Sequence, residues 1–269
     1  MIVVKIGGAS GINTKHIIND ITKINKTGSD MLVVHGGSEL ATNLGKELNY
    51  PPKFVTSPSG HTSRYTDKRT LDIFVMATSL INRNLVRTLQ ESGVNAIGIS
   101  GIDGKILSAR RKSTLRIVEN GKQKIIRDDY TGKITCVNIM PIKIMQNADY
   151  LPVMAPIAIS HEKEILNVDG DRAAAELAGK LDAKSLVILS NVSGLLSDIA
   201  DPNSYIPKIT GKQEIEHATN NIAQGRMKRK LIAANEALSA GVDQVIIANA
   251  NIKSPITNAL QGKGTIING

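Results

Sequence analysis

A chain of 269 residues with 41% hydrophobic and 21% charged residues has the balance of a globular protein, enough for one large α/β domain or two small lobes. Its longest apolar stretch, around Leu151–Ile159, is about half of the roughly 20 residues that a spanning helix needs, which excludes a transmembrane helix. The net charge of +9 points to an acidic partner or an anionic substrate, and an aromatic content of 3% without tryptophan lacks the stacking surfaces of a single-strand binder, so neither nucleic acid nor membrane is the expected partner.

The opening MIVVKIGG reads as a strand and a turn instead of a signal peptide, and the single cysteine, Cys136, allows no intrachain disulfide; both fit a cytoplasmic protein. Short β-rich apolar runs predict strands at Ile2–Ile6, Met31–Val34, Val94–Ile99, Leu151–Val153, Leu186–Leu189 and Gln244–Ala248. Helical spacing between them predicts helices at Thr14–Asn25, Glu39–Leu48, Asp67–Glu91, Asn138–Asn147, Asp171–Leu181 and Met227–Ala240. This alternation predicts a mostly parallel central sheet with helices on both faces. One interval departs from it. From Lys105 to Lys133 the pattern is strand-like, with turn signals at Asn120-Gly121 and Thr131-Gly132, and it reads as a projecting hairpin. That interval carries Lys105, Arg110, Arg111, Lys112, Arg116, Lys122, Lys124, Arg127 and Lys133 against Glu119, Asp128 and Asp129, so much of the excess charge is local. No linker-like composition divides the chain, and residues 1–269 read as one domain.

Four constellations carry the chemistry. The first strand ends in Lys5-Ile6-Gly7-Gly8; ligands of open α/β sheets bind at the carboxyl ends of strands, and a glycine turn exposes amides that form an anion nest. A lysine beside such a nest suits a phosphoryl group; the alternative is a solvated lysine before an ordinary turn. The second strand repeats the device in His35-Gly36-Gly37-Ser38. Neither loop has the spacing of a Walker A or dinucleotide fingerprint. The third is Asn167-Val168-Asp169-Gly170-Asp171 before an Ala-rich helix, where Asp171 reads as an N-cap or as a group that positions lysines. The fourth is Gly225-Arg226-Met227-Lys228-Arg229-Lys230. Cations at a helix start are unfavourable unless an anion neutralises them, so Lys230 reads as a phosphate partner and Arg229 as part of a solvated face. His35 reads as structural and Cys136 as a small core residue.

In this order and spacing, and over nearly the whole chain, these motifs resemble the amino acid kinase superfamily, in particular its acetylglutamate kinase branch. The resemblance rests on Lys5-Ile6-Gly7-Gly8, Gly36-Gly37, Arg64-Tyr65-Thr66, Asn167-Val168-Asp169-Gly170-Asp171, Leu189-Ser190-Asn191-Val192-Ser193-Gly194-Leu195 and Gly225-Arg226-Met227-Lys228-Arg229-Lys230. Gly-Gly-Ser at the second loop, the arginine within Gly60-His61-Thr62-Ser63-Arg64, and the basic late motif are similar to the members whose substrate is linked to a carrier protein. Asp169 stands where many relatives have Asn, and Asn191 where Asp is commoner.

The resemblance implies a three-layer αβα sandwich, with a substrate-binding half at roughly residues 1–165 and a nucleotide-binding half at roughly 166–269. It implies ATP as co-substrate with Mg²⁺ held mainly by phosphates and water, no dedicated protein metal site, and transfer of a phosphoryl group to a carboxylate. Lys5 and Lys230 would flank the phosphoryl and Asp171 would orient them. Amides near Gly7, Gly8, Gly36 and Gly37 would hold the phosphoryl and the carboxylate, and Arg64 and Asn167 the substrate's α-carboxylate. Ser190, Asn191, Gly194, Leu195 and Met227 would face the nucleotide. The partner implied is an acidic amino-group carrier protein bearing an aminoadipate or glutamate unit, with Arg110, Arg111, Lys112 and Lys228 as docking candidates, and a homodimer is the family's usual state. The competing expectations are an acetylglutamate kinase acting on the free small molecule and a non-catalytic nucleotide- or nucleic-acid-binding protein. With the first strand at Ile2, the form of arginine inhibition that goes with an extra N-terminal helix in acetylglutamate kinases is not expected.

Overall fold

A computed structural model describes every residue except 59, 61, 113, 120, 199, 202 and 203; the His61 of the arginine motif and the Asn120 of the turn signal lie outside the described residues. The centre is an eight-stranded sheet in the order Lys208–Thr210, Thr265–Asn268, Gln244–Asn249, Ser185–Ser190, Ile2–Ile6, Met31–His35, Leu151–Ala155, Ala96–Ser100. The six strands from Gln244–Asn249 to Ala96–Ser100 are parallel, and Thr265–Asn268 joins antiparallel to Gln244–Asn249. Ile2–Ile6 therefore lies in the interior of the sheet, between Met31–His35 and Ser185–Ser190. The mostly parallel α/β sheet expected from the alternation is the fold observed.

Helices cover both faces because the strands are apolar on both sides. Val4, Val33, Val153, Val187 and Ile246 turn toward one layer, against Ile17, Ile18 and Ile21 of the Thr14–Asn25 helix and Leu85 and Leu89 of the Lys68–Glu91 helix. Val3, Leu32, Leu186 and Val245 turn toward the other, beneath the Gly170–Lys180 and Gly225–Ser239 helices. These two helices meet through alanines at 173, 174, 178, 233, 234 and 237, all fully buried. Small side chains let helix axes approach closely. A Cβ on Gly179 would come within 2.4 Å of the Ala240 Cβ. A two-pronged pair between Arg172 and Glu236, with Nε donating to Oε2 at 2.8 Å and Nη2 donating to Oε1, locks the same two helices.

The basic interval is more than one projecting hairpin. Leu107–Arg111 pairs with Gly132–Val137 in a four-stranded sheet with Ile157–Ile159 and Ile165–Asn167. Leu115–Glu119 and Lys122–Ile126 form a hairpin that joins Phe54–Thr56 and Thr62–Arg64 in a second one. Strands this short give too little alternation to be read from sequence. Cys136 corrects its expectation: it lies on the exposed side of Gly132–Val137 and not in the core. No helix among the described residues is long and apolar enough to cross a membrane.

Candidate active site

Lys5 is the last residue but one of its strand, with Ile188 and Val34 as register neighbours, and is 6% exposed. Its stem rests against the start of the Gly170–Lys180 helix, where an added Gly170 Cβ would lie 3.5 Å from Lys5 Cε. Its Nζ is 2.5 Å from Oδ1 of Asp171, whose Oδ2 accepts from Lys230 Nζ at 3.2 Å. Asp171 and Lys230 are each 7% exposed. Burial alone would raise the Asp171 carboxyl, but the ammonium groups of Lys5 and Lys230 outweigh it and hold the group far below the usual carboxylate range. Burial depresses Lys230, and repulsion from Lys5 adds to it, with Asp171 opposing. Two cations thus share one anion inside the protein, and an incoming anion would stabilise the surplus positive charge.

Asp171 corrects the capping alternative. The cap of its helix is Asp169, whose Oδ1 accepts from the amides of Asp171 at 3.0 Å and Arg172 at 3.1 Å. Asp169 therefore aims Asp171 at the lysines by fixing the first turn. Arg229 departs from its expectation too: its guanidinium donates to the carbonyl of Thr62, so this helix start reaches across to the strand that carries Arg64.

The two glycine loops lie back to back above the sheet. The amide of Gly7 donates to the carbonyl of Leu189 at 3.0 Å and that of Gly36 to Ile6 at 2.9 Å, so both extend the ladders and are occupied. The amides of Gly8 and Gly37 have no backbone acceptor among the described residues; they are the donors left for a ligand. A Cβ on Gly8 would fall 2.5 Å from the nitrogen of Gly37, and one on Gly36 2.6 Å from the nitrogen of Gly8. Glycine is required there by contact between backbones. Behind the second loop, His35 is 1% exposed and burial pushes its imidazole down to about 4, so it is neutral. Its ring meets Asn82 Nδ2 through Nε2 and the carbonyl of Gly36 through Nδ1, both at 3.1 Å.

Arg64 donates through Nη2 to the carbonyl of Ser38 and to Thr42 Oγ1, both at 2.8 Å, with its guanidinium 5.3 Å from the Phe54 ring centroid. Burial lowers it, and repulsion from Arg226 adds to this. Asn167 Nδ2 donates to Thr66 Oγ1 at 3.3 Å, and the Thr66 amide donates to buried Asp129 at 3.0 Å. On the other side, Ser190 ends its strand with its carbonyl accepting from Ala250 at 2.7 Å. Asn191 is exposed, the Leu195 amide donates to Thr265 Oγ1 at 2.8 Å, and an added Gly194 Cβ would lie 2.5 Å from that oxygen. Met227 packs on the core just after a π-helical turn, Ala218–Ile222, a distortion frequent at functional sites. Among the docking candidates, Arg110 and Lys112 are exposed and Lys228 is half-buried. Arg111 is committed elsewhere: it lies 3.7 Å over the Tyr130 ring, pairs with Glu164 at 2.7 Å and donates to the carbonyl of Asp129 at 3.0 Å. Sequence reasoning missed Asn82, Thr42 and Asp129; Asn82 stands two residues from Asn84 in the Lys68–Glu91 helix, and nothing local singles it out.

No group of three or more His, Cys, Asp or Glu among the described residues is placed to hold a metal ion; Asp171 is engaged by two ammonium groups and Asp169 by two amides.

The amino acid kinase family matches residues 1–249. Over 268 residues the chain is 45% identical to the [LysW]-aminoadipate kinase of Thermus thermophilus, covering 99% of this chain and 100% of that protein. Over 269 residues it is 39% identical to the [LysW]-aminoadipate/[LysW]-glutamate kinase of Metallosphaera sedula, with the same coverage of 99% and 100%. Among solved structures, the fold is similar to N-acetylglutamate synthase from Neisseria gonorrhoeae (TM-score 0.80, 22% identity, 100% of this chain and 59% of that one) and to carbamate kinase from Giardia lamblia (TM-score 0.66, 16% identity, 99% and 98%). With a family match across most of its length, and with the lysine pair, shared aspartate and facing glycine loops at the carboxyl ends of its sheet, the chain belongs to the amino acid kinase family.

Proposed function

We propose that the protein transfers the γ-phosphoryl of ATP to the side-chain carboxylate of an aminoadipate or glutamate unit attached to an acidic, LysW-type amino-group carrier protein. The observation that carries this reading is the buried Lys5–Asp171–Lys230 cluster beside the free amides of Gly8 and Gly37. A carboxylate oxygen attacks the γ-phosphorus, the bond to the β–γ bridging oxygen breaks, and ADP leaves with an acyl phosphate formed. Such a transfer asks the protein for positioning and charge neutralisation. Lys5 and Lys230 flank the phosphoryl, and Asp171 holds both ammonium groups apart and aimed. The Gly8 and Gly37 amides receive the phosphoryl and the attacking carboxylate. Among the described residues Arg64 bonds only through Nη2, so Nη1 and Nε are offered to the substrate's α-carboxylate, together with Asn167. Ser190, Asn191, Gly194, Leu195 and Met227 form the nucleotide side. Mg²⁺ would travel with the phosphates and water. A homodimer in the cytoplasm is part of the same proposal.

Carrier recognition is supported by where the charge sits. The hairpin with Arg116 and Lys122 is in one sheet with the strand of Arg64, its Lys124 being paired with Glu119, so two basic groups, unpaired among the described residues, lie on the sheet that carries the substrate-side arginine. Complementary charge of this kind raises encounter rate and selects the partner. With Arg111 engaged in its ion pair, Arg110, Lys112 and Lys228 remain as docking groups. Arg110→Glu with Lys112→Glu is expected to raise KM for the carrier-bound substrate about ten-fold, with KM for ATP unchanged; unaltered carrier KM would remove these residues from docking.

The activity itself is tested by trapping acyl phosphate with hydroxylamine. Two acceptors are offered at equal concentration: free N-acetylglutamate, and an acidic carrier bearing a C-terminal aminoadipate or glutamate. Preference for the carrier is expected. Preference for N-acetylglutamate would make the protein an acetylglutamate kinase, and ATP-dependent product from neither would sink the proposal.

A further inference from the structure

A peptide unit is planar and trans, so its carbonyl and its N–H point in opposite directions. The carbonyl of Gly36 and the amide of Gly37 belong to one such unit, and the chain has no cis peptide among its described residues. Whatever grips the Gly36 carbonyl therefore aims the Gly37 N–H the other way. The grip is His35 Nδ1, 3.1 Å from that oxygen. A carbonyl can only accept, so Nδ1 carries the hydrogen. Nε2 is then the acceptor, and it is met at 3.1 Å by Asn82 Nδ2. Asn82 is 5% exposed and also donates to the carbonyl of Val153 at 2.9 Å, which fixes which end of its amide is the nitrogen. Its other face is closed by Gly98, where a Cβ would lie 2.1 Å from Asn82 Oδ1. Gly98 lies on the Ala96–Ser100 strand and Val153 on Leu151–Ala155, so the helix asparagine is braced against two strands and holds the histidine of a third.

A restraint is needed because a peptide between two glycines has no Cβ to oppose rotation of its plane. On its other side the Gly37 nitrogen faces Gly8, at the position an added Gly8 Cβ would approach to 2.5 Å, in the gap where the two free amides meet. We infer that the Asn82–His35 pair is a positioning device that pins the Gly36–Gly37 peptide and so keeps the Gly37 amide turned toward the ligand gap. Neither side chain touches the reacting atoms; both act through the backbone of the second loop. The inference rests on the role proposed for Gly37 in receiving the acceptor side of the reaction.

Two substitutions of similar size separate this role from a merely structural one. In His35→Asn the side-chain amide reaches the place of Nδ1 and can still grip the Gly36 carbonyl. In His35→Gln it reaches the place of Nε2, keeps Asn82 and leaves that carbonyl free. With the acceptor that the wild-type protein phosphorylates, His35→Gln is expected to lose about 10²-fold in kcat with KM for ATP within about two-fold of normal, and His35→Asn to lose less than about ten-fold, on the scale of one donor removed from a charge-stabilising site. Equal losses in the two variants, or an ATP KM that rises in step, would overturn the inference. A second readout does not depend on turnover. The assigned Gly37 amide resonance of the ligand-free protein is expected to stay in place in His35→Asn and to shift or broaden in His35→Gln. If the wild-type protein phosphorylates neither acceptor, the proposed activity has failed and the resonance alone decides: a Gly37 signal unmoved in His35→Gln defeats the pinning. Should His35→Gln not fold, Asn82→Ala takes its place with the same expectations.

Discussion

Replacing Lys5 or Lys230 by Met is expected to lower kcat by about 10²–10³ and to leave the protein at least as stable, whereas Asp171→Asn is expected to lower stability by about 3–5 kcal/mol. The opposite signs follow from the charge count of the cluster. Either lysine substitution removes one of two buried like charges and leaves a balanced pair with Asp171; Asp171→Asn leaves two buried ammonium groups facing each other. The acid limb of the stability profile carries the same information. The Asp171 carboxyl titrates lower when folded than when unfolded, so its contribution is whole above the unfolded value of about 4 and is lost as the pH falls through the folded value. Asp171→Asn flattens that limb. Denaturant midpoints and steady-state rates for the three variants check the set: near-normal turnover takes a lysine out of the mechanism, and an undiminished midpoint for Asp171→Asn would mean the cluster is not charged as described.

The second large effect is steric. Gly8→Ala is expected to lower kcat about 10²-fold, the scale of a displacement of about 1 Å in a catalytic site. The new Cβ meets the nitrogen of Gly37 at 2.5 Å and the carbonyl carbon of Gly36 at 2.9 Å; these are backbone atoms and cannot rotate away. The loops must part, and the two free amides part with them. Gly11→Ala is the control. Its Cβ would meet nothing within 4 Å, but its φ is +76°, so it costs roughly 1–2 kcal/mol of stability and leaves the rate alone. A normal rate for Gly8→Ala would show that the spacing of the loops is irrelevant to turnover.

What the sequence could reveal depended on whether a residue's partner was near in the chain. Lys5-Ile6-Gly7-Gly8 and His35-Gly36-Gly37 were legible because a strand end followed by glycines is a local pattern. Which amide of each pair stays free was not, since that is decided by carbonyls of Leu189 and Ile6 on neighbouring strands. Asp169 and Asp171 both suit a cap, and only the first-turn geometry assigns the cap to Asp169. Asn82 was invisible because its partner His35 is 47 residues away. Arg110 and Arg111 illustrate a signal that was present: neighbours on a strand face opposite sides, so the two could not share a surface role. The short strands at Ile157–Ile159 and Ile165–Asn167 were illegible for a different reason, being too brief for any periodicity to accumulate.

The interior place of Ile2–Ile6 bears on how the molecule is made. One side of this strand is covered as soon as Met31–His35 pairs with it, but the other waits for Ser185–Ser190. During synthesis the ribosome therefore exposes, for the length of about 150 further residues, an apolar sheet edge bearing Lys5, the kind of edge that recruits foreign strands. Lys5 sits on that open margin until Ser185–Ser190 closes it; Asp171 has been made by then, and Lys230 follows on the later Gly225–Ser239 helix. The aggregation hazard therefore ends before the lysine cluster is complete, and a nascent chain stalled before residue 190 would be the state most in need of a chaperone.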